Sequence, residues 1–436
     1  MLLSATILNY PAAALINWGT DEAEDVYVQH LAKVGTILEY LEVLLEKANP
    51  DDLVLIVDGF DVHFQLPPEV IISRYFEENQ RANDLIESQV GREIANRHDF
   101  KQTVIFGPDR YCWPMQAEHP ACWAVPQPPG PRMSYGPRED SRPRFLNSGT
   151  IMGPVEDVRD IFRETLKLIH GNQTSGSDQY YFAAVFGNQE YVRGRLQPDE
   201  HFSGRKEKHV DLPSLKSGAR TEYHIGLDYN WALFQTVAFF EDYLTWMTFD
   251  GFQKSTFPSL FTRKQQILTS DWYTERVIPN DIIRARPPFH AGIPMESQIA
   301  STPPGAKDSI KPPFPVHLGW NDLSLGANVI TGQIFPVLHF TSRKLLRAEW
   351  WTRLWFFPYA EELLKASVKL PRAPFSTKAI GGKIWWPGKV LGQDDLINLG
   401  IKGGSFTGNG TFLAWDGICG VHEDELYRGI ESPIDL

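Results

Sequence analysis

The spacing of apolar and polar positions changes along the first half of the chain in a way that predicts alternating strands and helices. Residues 3–9 form an apolar run typical of a strand, and residues 24–47 carry apolar side chains mostly at helical spacing. The next run, LVLIVDGFDV at 53–62, is apolar until it ends in two aspartates, as a buried parallel strand does. These three segments in succession indicate an α/β domain.

The same pattern continues to about residue 190. It predicts helices at 68–90, 155–168 and 178–186 and a short strand at 103–107. In open α/β sheets, ligands bind beyond the carboxyl ends of the strands. The two aspartates that end the run at 53–62 therefore lie where a binding site is expected.

The pattern of strands and helices is interrupted twice by proline and changes in the second half of the chain. Proline-rich stretches occupy 125–143 and 286–316, and the second is the better candidate for a boundary. Residues 342–366 are predicted to be helical with a break near Pro358, and the tail from 367 is rich in glycine. We therefore expect one domain over 1–250 and a C-terminal α+β or irregular extension over 251–436, packed on that domain.

Composition, charge and hydropathy indicate a globular protein and exclude some classes of partner. The 436 residues are 42% hydrophobic and 22% charged, which is typical of a globular protein. The formal charge of −12 argues against nucleic acid as a partner, because phosphate binding needs clustered Lys and Arg. No apolar run is long enough to span a membrane. Residues 1–19 are a poor signal peptide, so we expect any leader or anchor to be absent from these residues.

Two observations bear on the cellular compartment. Cys112 and Cys122 are ten residues apart and could close a disulfide ring, which would indicate an oxidising compartment. Asn172 and Asn409 begin N-x-[ST] sequons, which fit a protein of the secretory pathway. A cytosolic protein with three reduced thiols is the alternative.

The segment Asp58-Gly59-Phe60-Asp61 is the first candidate for chemistry. Two carboxylates three residues apart at a strand end can converge on one divalent cation, and magnesium or manganese prefers such oxygen ligands. A bound cation would let an acidic protein hold a diphosphate. The alternative is a pair of solvated or capping aspartates.

Five short motifs occur in this order: LIVDGFDV at 55–62, FGPDRYCWP at 106–114, RFLNSGTIMG at 144–153, SDQYYF at 177–182 and YHIG at 223–226. Together they resemble the glycosyltransferase domain of the procollagen lysyl hydroxylases and the related collagen glycosyltransferases. This resemblance covers about residues 1–230. It implies a GT-A-like nucleotide-sugar-binding domain with a mixed, mostly parallel central sheet. Nothing after it resembles the hydroxylase domain, so hydroxylation is not implied.

The resemblance implies a role for each matched residue at the metal and the base. Asp58 and Asp61 are the acidic metal ligands, and His224 matches the histidine that supplies the third ligand. Phe60 lies where an aromatic ring would stack on uracil. Alternatively, Phe60 could be a core residue and His224 a histidine without a ligand role.

Further residues are matched to the donor. Lys33 lies where the family has a basic residue near the uridine diphosphate, although it could equally be a solvated helix lysine. The segment Asn147-Ser148-Gly149 resembles the one that approaches the sugar, although a plain turn fits the same residues. Gly226 is also expected to contact the cofactor.

Three residues are matched to catalysis. Asp178 is the expected carboxylate beside the donor sugar, and Asp109 and Trp113 resemble an acid and an aromatic ring on the sugar or acceptor side. For Trp113, a core position is an equal alternative. Ser177 stands where the family commonly has a second acid, so an activity that needs both acids is in question.

The resemblance thus implies a hexosyltransferase that uses Mn²⁺ or Mg²⁺ and a UDP-sugar, with glucose or galactose as the expected sugar. It also implies that residues 1–250 are the catalytic domain and that the extension lies on the acceptor side. The enzyme's acceptor is a hydroxyl on a protein or glycan, and its expected location is the secretory lumen or the exterior. Retention or inversion stays open. The alternatives are a catalytically silent nucleotide-sugar or glycan-binding protein and another metal-dependent nucleotide-diphosphate enzyme. The latter needs a Gly- and Lys-rich phosphate loop, which residues 7–19 lack.

Overall fold

The structure is a computed structural model. It describes residues 1–19, 26–128, 143–171, 174–197, 210–213, 215, 218–249, 277–289, 315, 317–328, 331–341, 344–390, 392–394 and 403–428. Most of both proline-rich stretches and the predicted sequon residue Asn172 lie outside these ranges.

Helices and strands alternate through the described chain. The helices are α1 (Leu2–Ile7), α2 (Val26–Leu45), α3 (Pro68–Val90), α4 (Arg92–His98), α5 (Pro120–Trp123), α6 (Val155–Gly171), α7 (Asp178–Arg195), α8 (Asn280–Ile283), α9 (Lys344–Trp351), α10 (Ala360–Ser367), α11 (Trp415–Cys419) and α12 (Glu423–Arg428). The strands are β1 (Ala14–Leu15), β2 (Leu53–Val57), β3 (Val62–Phe64), β4 (Val104–Asp109), β5 (Phe145–Pro154), β6 (Ile225–Leu227), β7 (Phe234–Thr236), β8 (Leu244–Met247), β9 (Leu325–Asn328), β10 (Val337–His339), β11 (Ser405–Thr407) and β12 (Phe412–Leu413).

The chain divides into two compact units that are interleaved in sequence. The sheet unit comprises 15–58 and 74–236, and the C-terminal unit comprises 1–14, 59–73 and the described part of 237–436. This division differs from the expected one into 1–250 and 251–436, because the early segments 1–14 and 59–73 belong to the C-terminal unit. The physical reason is long-range pairing within the C-terminal unit, where β3 pairs with β10.

The sheet unit contains a four-stranded mixed sheet in the order β2-β5-β4-β6. β5 is antiparallel to both of its neighbours, and β4 is parallel to β6. Strands β2, β4 and β6 therefore point in one direction and β5 points in the other. The α/β class with a mixed sheet is confirmed, although β2 pairs with an antiparallel neighbour and not a parallel one.

Three long helices bury the core of the sheet unit. α2, α6 and α7 contribute buried apolar residues that cluster with those of β4, β5 and β6. The turns of α2 supply Leu31, Val34, Leu38 and Leu41, whose spacing of three and four residues puts them on one face. α6 begins directly after Pro154 and carries Glu156 and Asp157 in its first turn, where negative charge is favourable.

The C-terminal unit is built from short strand pairs and aromatic packing. β3 pairs with β10, β8 with β9, and β11 with β12, all antiparallel. Trp350 lies in a buried cluster and packs edge-on against Trp246 and Phe340. Trp351 and Trp355 are also buried, whereas the Trp386 side chain is half exposed. Trp350, Trp351 and Trp355 are therefore core residues of this unit.

The N-terminal segment is helical, so the prediction of a strand at 3–9 was wrong. α1 packs against α10, and the Ser367 hydroxyl donates a hydrogen bond to the Ile7 carbonyl. A short apolar run fits a buried helix as well as a strand, and only its packing partners decide between them. No described helix is both long and apolar enough to cross a membrane.

Candidate functional site

A bulge in β5 shapes the edge of the sheet where β2 ends. Phe106 pairs with Ile151, but the next residue of β4, Gly107, pairs with Asn147, so β5 has extra residues at this point. Gly107 is required there, because a Cβ atom would lie 2.3 Å from the Thr150 hydroxyl. The extra residues include Ser148, which is buried, and Gly149, whose carbonyl accepts a hydrogen bond from the Asp58 backbone N–H.

Polar side chains connect this bulge to α7 and to the loop after β4. The side-chain nitrogen Nδ2 of Asn147 lies 3.3 Å from both Asp109 Oδ2 and Gln179 Oε1. Its side-chain oxygen Oδ1 accepts a hydrogen bond from the Gly149 N–H. Gln179 in turn donates to the Trp113 carbonyl at 2.8 Å. The structure therefore brings Asp109, Trp113 and the Asn147 segment together, as the sequence motifs suggest.

The Lys33 amine contacts both Asp58 and Asp178, and among the described residues it is the only cation that does so. Its Nζ lies 2.7 Å from Asp178 Oδ2 and 3.1 Å from Asp58 Oδ1. Burial disfavours the charged amine, but the two carboxylates outweigh burial and raise the pKa of Lys33 above its usual range. Lys33 is thus a charged, largely buried residue, and the alternative of a solvated helix lysine is rejected.

In the C-terminal unit, Asp61 faces a histidine of β10. His339 is buried, and its Nε2 lies 3.5 Å from Asp61 Oδ1. Burial raises the pKa of Asp61, but His339 and the nearby Arg347 charge outweigh burial and lower it. Asp61 is therefore ionised at neutral pH, as a metal ligand must be.

The residues of this turn also fit a divalent cation. Asp58, Asp61 and His339 each offer one ligand atom, and these atoms lie within 4.8 Å of one another. Asp61 Oδ1 is buried and lacks a hydrogen-bond donor among the described residues. An ionised carboxylate oxygen that accepts no hydrogen bond keeps its lone pairs available to a cation. Carboxylate ligands favour magnesium or manganese, and an imidazole is compatible with manganese.

Phe60 and Arg347 flank the same turn. The Phe60 side chain is 87% exposed, so the alternative of a core residue is rejected. Arg347 of α9 donates to the Phe60 carbonyl at 2.8 Å and makes no ion pair with the described residues. A guanidinium fixed by a backbone hydrogen bond, beside an exposed aromatic ring, is suited to an anionic ligand.

The structure does not bring His224 to the aspartates, which corrects its expected role as the third metal ligand. Its Nε2 lies 3.0 Å from Asp99 and its Nδ1 3.5 Å from Asp157. His224 immediately precedes β6, at the edge where β4 begins, whereas Asp58 follows the carboxyl end of β2. Three strand spacings of about 4.8 Å lie between β2 and β6.

Gly226 lies in the same part of β6 and also has a packing explanation. A Cβ atom on Gly226 would meet the Gln102 side chain at 1.6 Å. The absence of a side chain therefore lets Gln102 pack against the strand, and the structure gives Gly226 no place beside Asp58.

The loop after β4 is closed by a disulfide between Cys112 and Cys122. Of the two alternatives for these cysteines, the structure has the disulfide and not the reduced thiols. Within the loop, the Trp113 side chain is 57% exposed, which rejects the core alternative for this residue.

His339 and Arg347 were missed by sequence reasoning. His339 is the last residue of β10, within the apolar run VLHF at 337–340, and a polar residue at a strand end is the same signal that singled out Asp58. Among twelve histidines, however, nothing in the spacing links this one to Asp61, 278 residues earlier. Arg347 shows only the ordinary pattern of a polar position on a helix.

Comparison with known proteins gives one distant similarity. No family model matches the chain. A region of 183 residues, 42% of this chain, is 24% identical to a multifunctional procollagen lysine hydroxylase and glycosyltransferase of Caenorhabditis elegans. The match covers 18% of that protein, so this chain corresponds to less than a fifth of its length.

Proposed function

We propose that the chain is a metal-dependent glycosyltransferase that takes a UDP-hexose donor. The observation that carries this proposal is the group Asp58, Asp61 and His339 around an exposed Phe60. The distant similarity to a protein named as a glycosyltransferase supports the same function.

The turn 58–61 would hold both the base and the diphosphate of the nucleotide. Asp58, Asp61 and His339 would hold a manganese or magnesium ion, which supplies charge neutralisation for a departing diphosphate. Phe60 would stack on the uracil ring, because its exposed face otherwise costs free energy in water. Arg347, held by its bond to the Phe60 carbonyl, would donate to a diphosphate oxygen.

The polar residues of the sheet unit would take the sugar. Asn147 offers an amide that can donate to and accept from hydroxyls, and Asp109 and Asp178 offer carboxylates that accept from them. Lys33 would orient Asp178 through its ion pair at 2.7 Å. Exposed Trp113 offers a flat apolar surface to the C–H face of a sugar ring.

One observation favours a catalytically silent binding protein as the second candidate. Ser177 replaces a second acid, and Asp178 is neutralised by Lys33 at 2.7 Å. The Asp178 carboxylate is thus already occupied by an ion-pair partner, and residue 177 supplies no second carboxylate to act as the general base.

The compartment proposed is the secretory lumen or the exterior, since the Cys112–Cys122 disulfide persists in oxidising surroundings. The acceptor is proposed to be a hydroxyl of a protein or glycan.

Release of UDP from UDP-glucose and UDP-galactose, with manganese and without acceptor, tests the function. We expect turnover that stops on chelation and that Asp61→Asn abolishes while the circular dichroism spectrum is retained. Manganese-dependent UDP binding without turnover would identify the silent binder. Absence of both binding and turnover would overturn the proposal.

A further inference from the structure

The hairpin β11–β12 presents an N-x-[ST] sequon at its tip. Phe406 pairs with Phe412, and the turn between them contains Asn409, Gly410 and Thr411. Gly410 has a φ of +86°, the left-handed conformation that glycine adopts without strain. Asn409 is exposed, whereas Phe406 is buried. The pairing of the strands thus projects the asparagine away from the core of the C-terminal unit.

The hydrogen bonds of Asn409 all use its carbonyl oxygen. Oδ1 accepts from the Thr411 hydroxyl at 3.0 Å and from the Thr411 N–H at 3.3 Å, and also from the Thr407 hydroxyl. The amide nitrogen Nδ2 donates to no described residue. A substituent on Nδ2 would therefore leave the hydrogen bonds of the turn intact.

We propose that Asn409 is an N-glycosylation site. In the reaction, Nδ2 forms a bond to the anomeric carbon of an oligosaccharide carried as a lipid-linked diphosphate ester. The bond between that carbon and the diphosphate oxygen breaks, the diphosphate leaves with the electron pair, and Nδ2 releases one proton. The co-reactant belongs to the secretory lumen, and the Cys112–Cys122 disulfide supports passage through an oxidising compartment.

The folded structure accommodates the product. A glycan is bulky and hydrophilic, so it needs a surface position. Asn409 meets this condition on an exposed turn. The proposal is independent of the glycosyltransferase function, because Asn409 contributes to no part of the site described above.

The test is expression of the full chain in the secretory pathway of cultured animal cells. Asn172→Gln removes the other sequon, so any remaining N-glycan must be on Asn409. The tryptic peptide 403–428 is measured intact, because Asn-Gly sequences deamidate spontaneously and would imitate enzymatic glycan removal. We expect a glycopeptide in this background and in Thr411→Ser, which keeps the sequon.

Asn409→Gln and Thr411→Ala in the same background should each give the unmodified chain. Secreted chain with the disulfide formed but no glycan at residue 409 would overturn the proposal. Failure of the disulfide to form in the secreted chain would also overturn it, since the argument for the compartment would fall. Neither result would bear on manganese-dependent UDP release.

Discussion

Lys33 Nζ lies 2.7 Å from Asp178 Oδ2, and the same amine lies 3.1 Å from Asp58, so one lysine connects the start of α7 to the end of β2. The Asp178 side chain is only 7% exposed. Removal of the lysine would leave this carboxylate buried without a cation, which is a large penalty.

We therefore expect Lys33→Met to lower the free energy of unfolding by about 2–4 kcal/mol, measured by urea denaturation. Lys33→Arg should retain most of the stability. Lys167→Met is the matched control, because its ion pair with Glu164 is exposed and should contribute less than about 1 kcal/mol. Equal effects of the two methionine variants would show that Lys33 is not a buried ion-pair partner.

The choice between two histidines gives the second prediction. His339→Gln should weaken manganese binding at least tenfold by isothermal titration calorimetry, since a nitrogen ligand is lost. His224→Gln should leave manganese affinity unchanged and lower stability, because Asp99 and Asp157 each lose one of their partners. The reverse pattern would support the assignment of His224 made from the sequence.

Phe60 supplies the third prediction. Because its side chain is 87% exposed, Phe60→Ala should leave the melting temperature unchanged. Uridine diphosphate binding should weaken by about 1–3 kcal/mol, the range for stacking of a base on an aromatic ring. Phe239→Ala, at another exposed phenylalanine of the same unit, is the control and should bind UDP normally. Unchanged UDP affinity in the Phe60 variant would exclude stacking.

Arg347 should contribute to diphosphate binding and not to metal binding. We expect Arg347→Gln to weaken UDP binding by about 1.5–3 kcal/mol, as for a hydrogen bond to a charged group. Binding of uridine itself should not change, because uridine lacks phosphates. Arg353→Gln is the control, since Arg353 pairs with Glu349 on the helix surface. Equal loss of uridine and UDP affinity would instead indicate damage to the turn at Phe60.

Asp228 gives a pH-dependent prediction. It is fully buried and accepts hydrogen bonds from the N–H groups of Ala232, Leu233 and Phe234. Burial, followed by the nearby Glu78 charge, raises its pKa from 3.8 to about 7, although the backbone donors oppose the shift. The pKa of Asp228 is higher in the folded protein than in the unfolded one, so the proton that it binds stabilises the fold. This contribution is fully present below the unfolded pKa. This contribution is lost as pH rises through about 7.

The stability advantage of the wild type over Asp228→Asn should therefore be larger at pH 5 than at pH 8. The free energies of unfolding of the wild type and of Asp228→Asn are measured at both pH values, and the difference between the two proteins is compared. A wild-type advantage that grows with pH would mean that the three backbone donors dominate and that the folded pKa is lowered.

The sequence by itself determined the long helices and β2, and it singled out the residues at the end of β2. Helical spacing predicted α2 and α3 nearly to their ends, and the apolar run before Asp58 predicted β2. It also singled out Lys33, Asp109, Asn147 and Asp178, which the structure links by ion pairs and hydrogen bonds. Such signals are local, because periodicity and strand-end charge are read within a few residues.

Only the tertiary structure decided which histidine faces Asp61. The sequence offered His224 through a motif, but the parallel pairing of β6 with β4 puts it at the opposite strand edge from Asp58. His339 reaches Asp61 because β10 pairs with β3 across more than 270 residues of chain. The same pairing places residues 59–73 in the C-terminal unit. Pairing between distant strands depends on how whole surfaces pack, and no spacing within one segment encodes it.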